Sequence, residues 1–285
     1  YIAGDDDQAI YKWAGADVRK FLSIKGNIQV LPVSYRLPKK IHGLANQISN
    51  RISLRQNKEW SCRDEEGTIT EIQSIEDIDM SKGNWLILAR SGYQLNKAES
   101  YCKRMGWFYE KGYNEFRANK YVIAIRSWIA LNNQEKISFD ELKKLYSCLR
   151  TNVGVKRGFK GLKNVETDID FDLEYLRENV GLMAEGEWQD ILEGLDPEDI
   201  LMFESLVKSK DIFKNKARIR LSTIHGMKGG ESENVVVMSD ISYKTWRKLN
   251  TEPDDEHRVF YVAITRAKKN LFILQPETKY NYDIR

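Results

Sequence analysis

Short apolar runs of strand length recur along the chain, and stretches with helical periodicity separate them. Strands buried on both faces of a parallel sheet give nearly continuous apolar runs, and helices connect such strands along the sequence. The pattern therefore predicts an α/β fold in which helices cover both faces of a parallel sheet. The predicted strands are residues 28–33, 85–89, 218–223, 235–238 and 271–274.

The same periodicity predicts helices at residues 39–48, 96–105 and 121–131. The character of the chain changes after residue 133, where no strand-like run occurs and a basic segment precedes an acidic helical stretch. This change predicts a mostly helical insertion at residues 134–215. We expect the flanking segments, 28–133 and 216–285, to form one α/β domain.

Composition places limits on the kind of protein. With 285 residues and 41% hydrophobic content, the chain can bury one good core or two modest ones, and it has no apolar run of membrane-spanning length. The formal charge of +3 is small, so any attraction to nucleic acid must come from local patches. Three scattered cysteines and three histidines without ligand spacing predict neither a disulfide framework nor a zinc site, but a reducing, cytoplasmic location.

The first residues have the pattern of a strand that continues from an earlier segment. Tyr1, Ile2 and Ala3 read as the tail of a buried strand that enters a turn at Gly4. We therefore expect the protein to start upstream and residues 1–27 to be the end of a preceding domain. None of the 18 glycines is followed by lysine, so the chain has no G-x-x-x-x-G-K-[ST] phosphate loop, and half of an ATP site is expected to be missing.

The turn at residues 4–16 combines three acidic residues with Gln8, Tyr11 and Trp13. A glutamine at the carboxyl end of a strand can orient water or contact a phosphate oxygen, because ligands bind outside strand ends in open α/β sheets. The alternative is an ordinary acidic turn with Trp13 in the core.

Two arginines lie at junctions between elements. Arg36 follows Tyr35 just before the predicted helix at residues 39–48, where tyrosine offers a flat face for a nucleobase and arginine a fork for phosphate. Arg266 ends an amphipathic helix, and an arginine aimed at a γ-phosphate can raise a rate by about 10³–10⁵-fold. The alternatives are surface packing for the first pair and a helix-end arginine favoured by the helix dipole for the second.

A glycine-rich loop follows the predicted strand that ends at Thr223. Its glycines, Gly229 among them, allow backbone amides to approach phosphates closely. Thr223 and His225 can donate to a nucleic-acid backbone, and the carboxylate of Glu231 suits a ribose hydroxyl. The alternative is a flexible connection with a solvated Lys228 and glutamate.

Taken in order, these segments resemble the UvrD/Rep/PcrA family of superfamily 1 DNA helicases. The resemblance implies two RecA-like domains that bind ATP and Mg²⁺ between them, 3′-to-5′ movement on single-stranded DNA, and duplex opening at single-strand/duplex junctions. The chain resembles the later part of such a protein, so the missing N-terminal RecA-like domain is an expected partner and carries the expected magnesium ligands. The motifs that carry the resemblance are III at residues 4–16, IV at Tyr35-Arg36, the following region at 86–109, V at 221–231 and VI at 256–267.

The resemblance assigns the nucleotide side of the site residue by residue. It implies a γ-phosphate sensor, an aromatic ring stacked on adenine, two phosphate-directed arginines and contacts around the ribose. In that order these are Gln8, Tyr35, Arg36 and Arg266, and Glu231 with Gly229.

It also assigns the DNA side. Trp13 and Tyr11 are similar to the aromatic residues on which the family stacks bases, and Thr223 and His225 are similar to its backbone contacts. Stacking of this kind contributes about 1–3 kcal/mol per base and tolerates any base sequence, as a translocating motor requires.

Two positions depart from the family pattern. Ala14 stands where an arginine that touches DNA is common, and Gly230 stands where an apolar residue usually precedes the motif V glutamate. Both bear on the coupling between DNA and the ATP site. A catalytically inactive DNA-binding or scaffolding module of a helicase-nuclease complex is the alternative from another class, and a motor that moves on RNA is a third interpretation, since stacking hardly distinguishes sugars.

Overall fold

The computed structural model describes residues 1–112, 119–163, 165–214, 216–227 and 229–285. Within them the chain forms two compact units: Tyr1–Tyr101 with Arg218–Arg285, and Cys102–Ala217. Lys228 and residue 215, the expected end of the insertion, lie outside the described residues.

The first unit is built on a parallel sheet. Five of the six strands in the described residues belong to it, and they pair side by side, all parallel, in the order β1-β6-β5-β2-β4. The strands in chain order are β1 (Thr68–Ile72), β2 (Trp85–Ala89), β3 (Tyr109–Lys111, in the second unit), β4 (Ile219–Thr223), β5 (Ser232–Met238) and β6 (Ala267–Leu274).

The inner strands form the core because their side chains are apolar on both faces. Every residue of β2 is buried, and in β5 Val235, Val236 and Val237 have no solvent exposure. The register sets Leu86 opposite Val235 and Ile87 opposite Val236, so branched side chains pack in rows across the sheet.

Helices complete both units. In chain order they are α1 (Val18–Leu22), α2 (Lys39–Ser49), α3 (Asn96–Arg104), α4 (Lys120–Asn132), α5 (Phe139–Cys148), α6 (Leu173–Asn179), α7 (Trp188–Ile191), α8 (Pro197–Lys208), α9 (Tyr243–Leu249) and α10 (Pro253–Ile264).

Helix α10 begins and packs for clear physical reasons. Pro253 occupies its first turn, where a missing N–H costs nothing, and three acidic residues in that turn complement the positive end of the helix dipole. From Val259 to Ile264 its residues are buried, and it packs against α2 and against the short 3₁₀ turn Asp6–Gln8. The helix therefore links the core of the first unit to the start of the chain.

The second unit is mostly helical. Its α4 and α5 pack together around buried side chains such as Trp128 and Leu142. Ser138 and Glu141 form a capping box at the start of α5, which satisfies backbone N–H groups that the first helical turn leaves without partners.

The structure confirms the α/β class and the predicted strands at 85–89, 218–223, 235–238 and 271–274, with end shifts of a few residues. Helices at 39–48, 96–105 and 121–131 are confirmed as α2, α3 and α4. The strand predicted at 28–33 is wrong: only Val33 forms an isolated bridge, to Ser61, and Ile28 and Leu31 are 63% and 80% exposed.

The strand tail expected at Tyr1 to Ala3 is also wrong, because those residues belong to no ladder and are exposed in the structure. An apolar run becomes a strand only where a neighbouring strand accepts its hydrogen bonds, and in the described residues neither run has one. The edge strand β1 escaped the sequence analysis, because its sequence TITEI buries only its last residue.

Candidate nucleotide and nucleic-acid site

Arg266 is the most constrained side chain of the site. Only 2% of its surface is exposed, and it directly follows Thr265, the residue that caps the end of α10. Its Nε donates to the carbonyl of Val262 at 2.9 Å, and its Nη1 donates to the carbonyl of Gly230 at 3.2 Å. Its Nη2 donates to Gln8 Oε1, also at 3.2 Å. These contacts fix the position and the plane of the guanidinium.

Gln8 reaches Arg266 from the 3₁₀ turn at the start of the chain. Its Nε2 donates to Asp5 Oδ2 at 2.6 Å, while its Oε1 accepts from Arg266. A carboxylate can only accept and a guanidinium can only donate, so these two neighbours determine which way the amide points. The structure thus brings together the first and last of the predicted nucleotide residues.

Arg36 and Glu231 form an ion pair beside the buried arginine. Arg36 Nε lies 2.7 Å from Glu231 Oε2, and its Nη1 donates to the carbonyl of Thr265 at 3.3 Å. Glu231 also pairs with Lys268. The hydrogen bond from Lys268, followed by that from Arg36, holds the pKa of Glu231 below its ordinary value against the opposing effect of burial.

Two guanidinium groups therefore lie close together at this end of the sheet. Burial, and next the positive charge of Arg36, lowers the pKa of Arg266 to about 10, which leaves it charged at neutral pH. Mutual repulsion of two cations is relieved when an anion binds between them. The arrangement favours a negatively charged ligand.

The other two predicted nucleotide residues lie at the surface. Tyr35 is 87% exposed, so its ring face is open to a ligand. Gly229 has a φ of +88° and open space where a Cβ would stand, so a side chain there would be strained by the backbone and not by neighbours. Both positions leave room for a nucleotide.

The residues predicted to contact DNA lie together where strand β4 ends. Tyr11 Oη donates to the carbonyl of His225 at 2.6 Å, and its ring centroid lies 5.9 Å from that of Trp13 and 6.0 Å from that of His225. Trp13 is 77% exposed and presents a flat apolar face. Thr223 ends β4 and its Oγ1 accepts the N–H of Gly226 at 3.1 Å, which shapes the loop that carries His225.

His225 carries no charge of its own at neutral pH. Burial, followed by the positive charge of Arg90, lowers its pKa below the ordinary value of 6.5. Positive charge near the DNA residues therefore comes from neighbours and not from the imidazole.

Strand direction separates the two sets of residues. Glu231 and Arg266 immediately precede β5 and β6, whereas Thr223 ends β4 and His225 follows it. Because the strands are parallel, the first pair lies at the amino edge of the sheet and the second at the carboxyl edge. The segment from Gln8 to Tyr11 touches both sets.

A cluster of ion pairs that the sequence analysis missed holds the acidic turn in place. Lys58 Nζ lies 2.7 Å from Asp5, 2.5 Å from Asp6 and 2.9 Å from Asp7, and Arg55 makes a two-pronged contact with Asp7 at 2.8 and 3.0 Å. Asp6 and Asp7 are almost completely buried. The acidic run near the start and the basic residues of the 55–58 segment gave a signal of complementary charge that could have indicated this cluster.

Two further buried groups on α10 were also missed. Arg258, 2% exposed, donates to the carbonyls of Asp6 and Leu54 at 2.9 and 2.5 Å. Glu256, 3% exposed, accepts two hydrogen bonds of 2.8 Å from Arg90, the residue that follows β2. No local pattern in the sequence indicates these partners, because each pair is separated by more than 160 residues of chain or joins a side chain to a carbonyl.

A family model for the UvrD-like helicase C-terminal domain matches residues 96–278, which is more than half of the chain. The chain belongs to the UvrD-like helicase C-terminal domain family. This result confirms the resemblance that the motifs indicated, and it agrees with the parallel sheet of the first unit.

Named relatives extend over nearly the whole chain. A probable DNA helicase II homolog of Rickettsia conorii is 24% identical over 97% of this chain and 56% of the relative. One from Mycoplasma genitalium is 25% identical over 96% of this chain and 50% of the relative, and the ATP-dependent DNA helicase Rep of Buchnera aphidicola is 20% identical over 95% and 56%. The chain spans about half the length of these relatives.

The described residues contain neither a metal-ligand cluster nor a membrane-spanning helix. No group of three or more histidine, cysteine, aspartate or glutamate side chains is arranged there to hold a metal ion. Within the same part of the chain, none of the helices combines the length and the apolar character that crossing a membrane requires.

Proposed function

We propose that this chain is the later part of an ATP-dependent DNA helicase that moves 3′ to 5′ along single-stranded DNA. The observation that carries the proposal is the 3.2 Å contact between Gln8 Oε1 and Arg266 Nη2, which joins motif III to motif VI. The relatives named as DNA helicases support it. A protein that only bound DNA would have no chemical use for a glutamine and two arginines grouped at one edge of the sheet.

The residues at the amino edge fit ATP. Arg36 and Arg266 supply two positive charges for phosphates, Gln8 senses the γ-phosphate, and Gly229 leaves its backbone open to the ligand. Tyr35 offers its exposed ring to adenine, and Glu231 offers a carboxylate to the ribose hydroxyls. When bound, ATP supplies a transferable phosphoryl group, and the two guanidinium groups stabilise the charge that develops on it.

Glu231 must release part of its present ion pairing to serve the ribose. In the structure its carboxylate accepts from Arg36 and Lys268. Since Arg36 is a third exposed, it can turn towards a phosphate while Lys268 keeps Glu231 ionised. The ion pair therefore keeps Arg36 and Glu231 close to the positions from which they would contact the phosphates and the ribose.

Magnesium does not fit the described residues, which contain no cluster of metal ligands. We propose that its ligands, like the phosphate loop, belong to an N-terminal RecA-like domain that pairs with this chain. For that reason we expect the 285-residue chain alone to be inactive as an ATPase.

The carboxyl edge is proposed to hold DNA. Trp13 and Tyr11 stack on bases, and Thr223 and His225 contact the backbone next to them. Closure on ATP would displace Gln8 and, three residues further, Tyr11, so that stacked bases move with each cycle.

The proposal includes the domain arrangement and the setting. Residues 1–27 are the end of the first motor domain, residues 28–133 and 216–285 the second, and residues 134–215 an inserted subdomain, although the described residues between 102 and 133 belong to the same compact unit as the insertion. Single-strand/duplex junctions are the proposed substrate, and the cytoplasm is the proposed location.

Arg266→Ala in the full-length protein tests the proposal. We expect DNA-stimulated ATP hydrolysis to fall by about 10³–10⁵-fold while single-stranded DNA still binds. Because Arg266 is buried, Arg266→Lys, which keeps a positive charge, and the thermal midpoint of both variants separate loss of function from loss of folding. Arg19→Ala, at an exposed position on α1, is the matched control and should hydrolyse ATP normally.

Unchanged hydrolysis in the Arg266→Ala variant would remove the assigned role of Arg266. A wild-type protein that binds DNA but hydrolyses no ATP would instead support the inactive binding or scaffolding module. Ala14, which replaces a family arginine beside the stacking Trp13, is the feature that favours this second candidate.

A further inference from the structure

Three aromatic rings meet on the surface of the first unit, on residues that have no role assigned above. Tyr243 and Trp246 lie on α9, and Tyr280 lies in the segment after β6. The rings of Tyr243 and Trp246 are nearly parallel, at 18° and 6.4 Å between centroids, and Tyr280 lies 5.2 Å and 5.5 Å from them. We call these three residues the aromatic platform.

Packing explains two of the three rings. Trp246 packs against the hydrophobic core, and the carbonyl of Tyr280 accepts the N–H of Ile241 at 2.9 Å, which fastens the segment after β6. Tyr243 is different, because 55% of it is exposed. Its ring rests on the other two and presents its outer face to solvent, where a second flat group could stack.

Positive charge surrounds the platform. Lys279 Nζ lies 5.3 Å from the centroid of the Tyr280 ring, and α9 carries Lys244 and Arg247. In the described part of the chain these three cations have no carboxylate within ion-pair distance, whereas the nearby Glu252 and Asp255 are paired with Lys12 and Lys248. The platform therefore has an uncompensated positive rim.

Strand direction places the platform at the carboxyl edge of the sheet. Helix α9 follows the end of β5, and Tyr280 follows the end of β6. Thr223 ends β4 at the same edge, and the strands are parallel. A single strand of nucleic acid held near Thr223 can therefore continue along this edge to the platform.

We propose that the aromatic platform and its rim form a second contact for single-stranded nucleic acid, separate from Trp13 and Tyr11. Tyr243 stacks on a base, while Lys244, Arg247 and Lys279 attract the phosphates on either side. Exposed aromatic faces beside unpaired cations are the combination that binds single strands without regard to sequence. The inference rests on the proposed function, since it extends the same DNA path.

The test compares short and long oligonucleotides on the full-length protein. Tyr243→Leu keeps an apolar contact with Trp246 but removes the ring, and binding is measured by fluorescence anisotropy with oligo(dT) of about 6 and about 20 nucleotides. We expect a loss of affinity of about 5- to 100-fold for the long oligonucleotide and none for the short one, which the contacts at Trp13 and Tyr11 already fill. Trp13→Ala, run in parallel, should weaken both.

A charge variant gives an independent readout. Lys244→Gln should lower the slope of log affinity against log salt by about 0.7, the value for one phosphate contact on a single strand. Lys82→Gln is the matched control, because this exposed lysine precedes β2 at the amino edge and should leave the slope unchanged.

The outcomes distinguish failure of the aromatic platform from failure of the proposed function. If Trp13→Ala weakens binding and Tyr243→Leu does not, the platform is overturned and the proposed function stands. Equal losses on both oligonucleotides with a lowered thermal midpoint would make Tyr243 a structural residue only. If the wild type binds no single strand, the proposed function fails and the platform falls with it.

Discussion

Replacing Lys58 by methionine should loosen the start of the chain and disconnect Gln8 from its support. Lys58 is the one cation that contacts all three carboxylates of the acidic turn in the described structure. Asp5, one of these carboxylates, holds the Nε2 of Gln8, whose Oε1 accepts from Arg266. A hydrogen-bonded chain thus runs from Lys58 through Asp5 and Gln8 to Arg266. Methionine keeps most of the length of the side chain and removes the ammonium group, with its charge and its hydrogen bonds to Asp5 and Asp6.

The expected cost follows from burial. Lys58 is 15% exposed in its side chain, and Asp6 and Asp7 are 3% and 2% exposed, so the substitution leaves buried carboxylates short of a partner. Removing one member of a buried ion pair costs about 3–5 kcal/mol. Arg55 still pairs with Asp7, and Asp5 is a third exposed, so we expect about 3 kcal/mol, the lower end of that range. For a unit of this size the thermal midpoint should fall by about 6–12 °C.

The pH dependence gives a second signature. Burial acts to raise the pKa of Asp5, but the hydrogen bond and charge of Lys58 outweigh it and hold that pKa below 3.8. A carboxyl group whose pKa is lowered in the folded state stabilises the fold at pH values above its pKa in the unfolded chain. This stabilisation is lost as pH falls through the pKa of the folded state. At Lys58 burial acts to lower the pKa, but the carboxylates outweigh it and raise the pKa above 10.5. Lys58 therefore contributes its full stabilisation below pH 10.5 and loses it as pH rises through the pKa of the folded state. The cluster therefore stabilises from about pH 4 to pH 10.

Urea unfolding at pH 7 and pH 4, followed by circular dichroism, measures the effect. The loss in the Lys58→Met variant should be largest at pH 7 and smaller near pH 4, where protonation begins to relieve the unpaired carboxylates. Lys39→Met is the control, because Lys39 pairs with Glu66 at 3.5 Å in an exposed position and such pairs contribute about 0–1 kcal/mol. If both variants lose the same free energy of unfolding, the buried cluster does not hold the turn and the reasoning is refuted.

Two further predictions concern the loop before β5 and the histidines. Gly230→Ala should destabilise by about 1–3 kcal/mol, because its Cβ would stand 2.4 Å from Met227 Sδ, and in urea unfolding the double variant with Met227→Ala should lose less than the sum of the two single losses. The free energy of unfolding should also decrease as pH falls from 7.5 to about 5.5, because burial lowers the pKa of each histidine below 6.5 and the unfolded chain then binds more protons. The histidines concerned are His42, His225 and His257. A free energy of unfolding that stays constant or rises between pH 7.5 and about 5.5 would contradict this prediction.

The sequence predicted the inner strands and several helices well because local signals determine them. The apolar run of β2 is buried at every residue, and α4 begins and ends close to its predicted bounds. The run at residues 28–33 is mostly apolar but also contains Gln29 and Pro32, and it joins no ladder in the described structure, so its composition alone did not make it a strand. Edge strand β1 shows the converse, since pairing with β6 makes a strand of a half-polar segment.

The candidate site was predictable only in part. The motifs indicated which residue types belong to the nucleotide and DNA sides, but the contact between Gln8 and Arg266 spans 258 positions and no spacing rule reaches across them. The groups that hold these residues were missed for the same reason. Arg258 serves two backbone carbonyls, and a carbonyl carries no sequence signal.

The segment from Gln8 to Tyr11 connects the nucleotide side of the site directly to the DNA side. Gln8 contacts Arg266 near the amino edge, and Tyr11 contacts the carbonyl of His225 near the carboxyl edge. Three residues span at most about 10–11 Å of extended chain, and Ile10 between them is buried in the core. In a close-packed core, a residue cannot move without displacing its neighbours. Movement of Gln8 must therefore displace Tyr11 or be resisted by the ion pairs around Asp5. Under the proposed function, the ion pairs of Lys58 determine how much of a movement at the nucleotide side is transmitted to the DNA side.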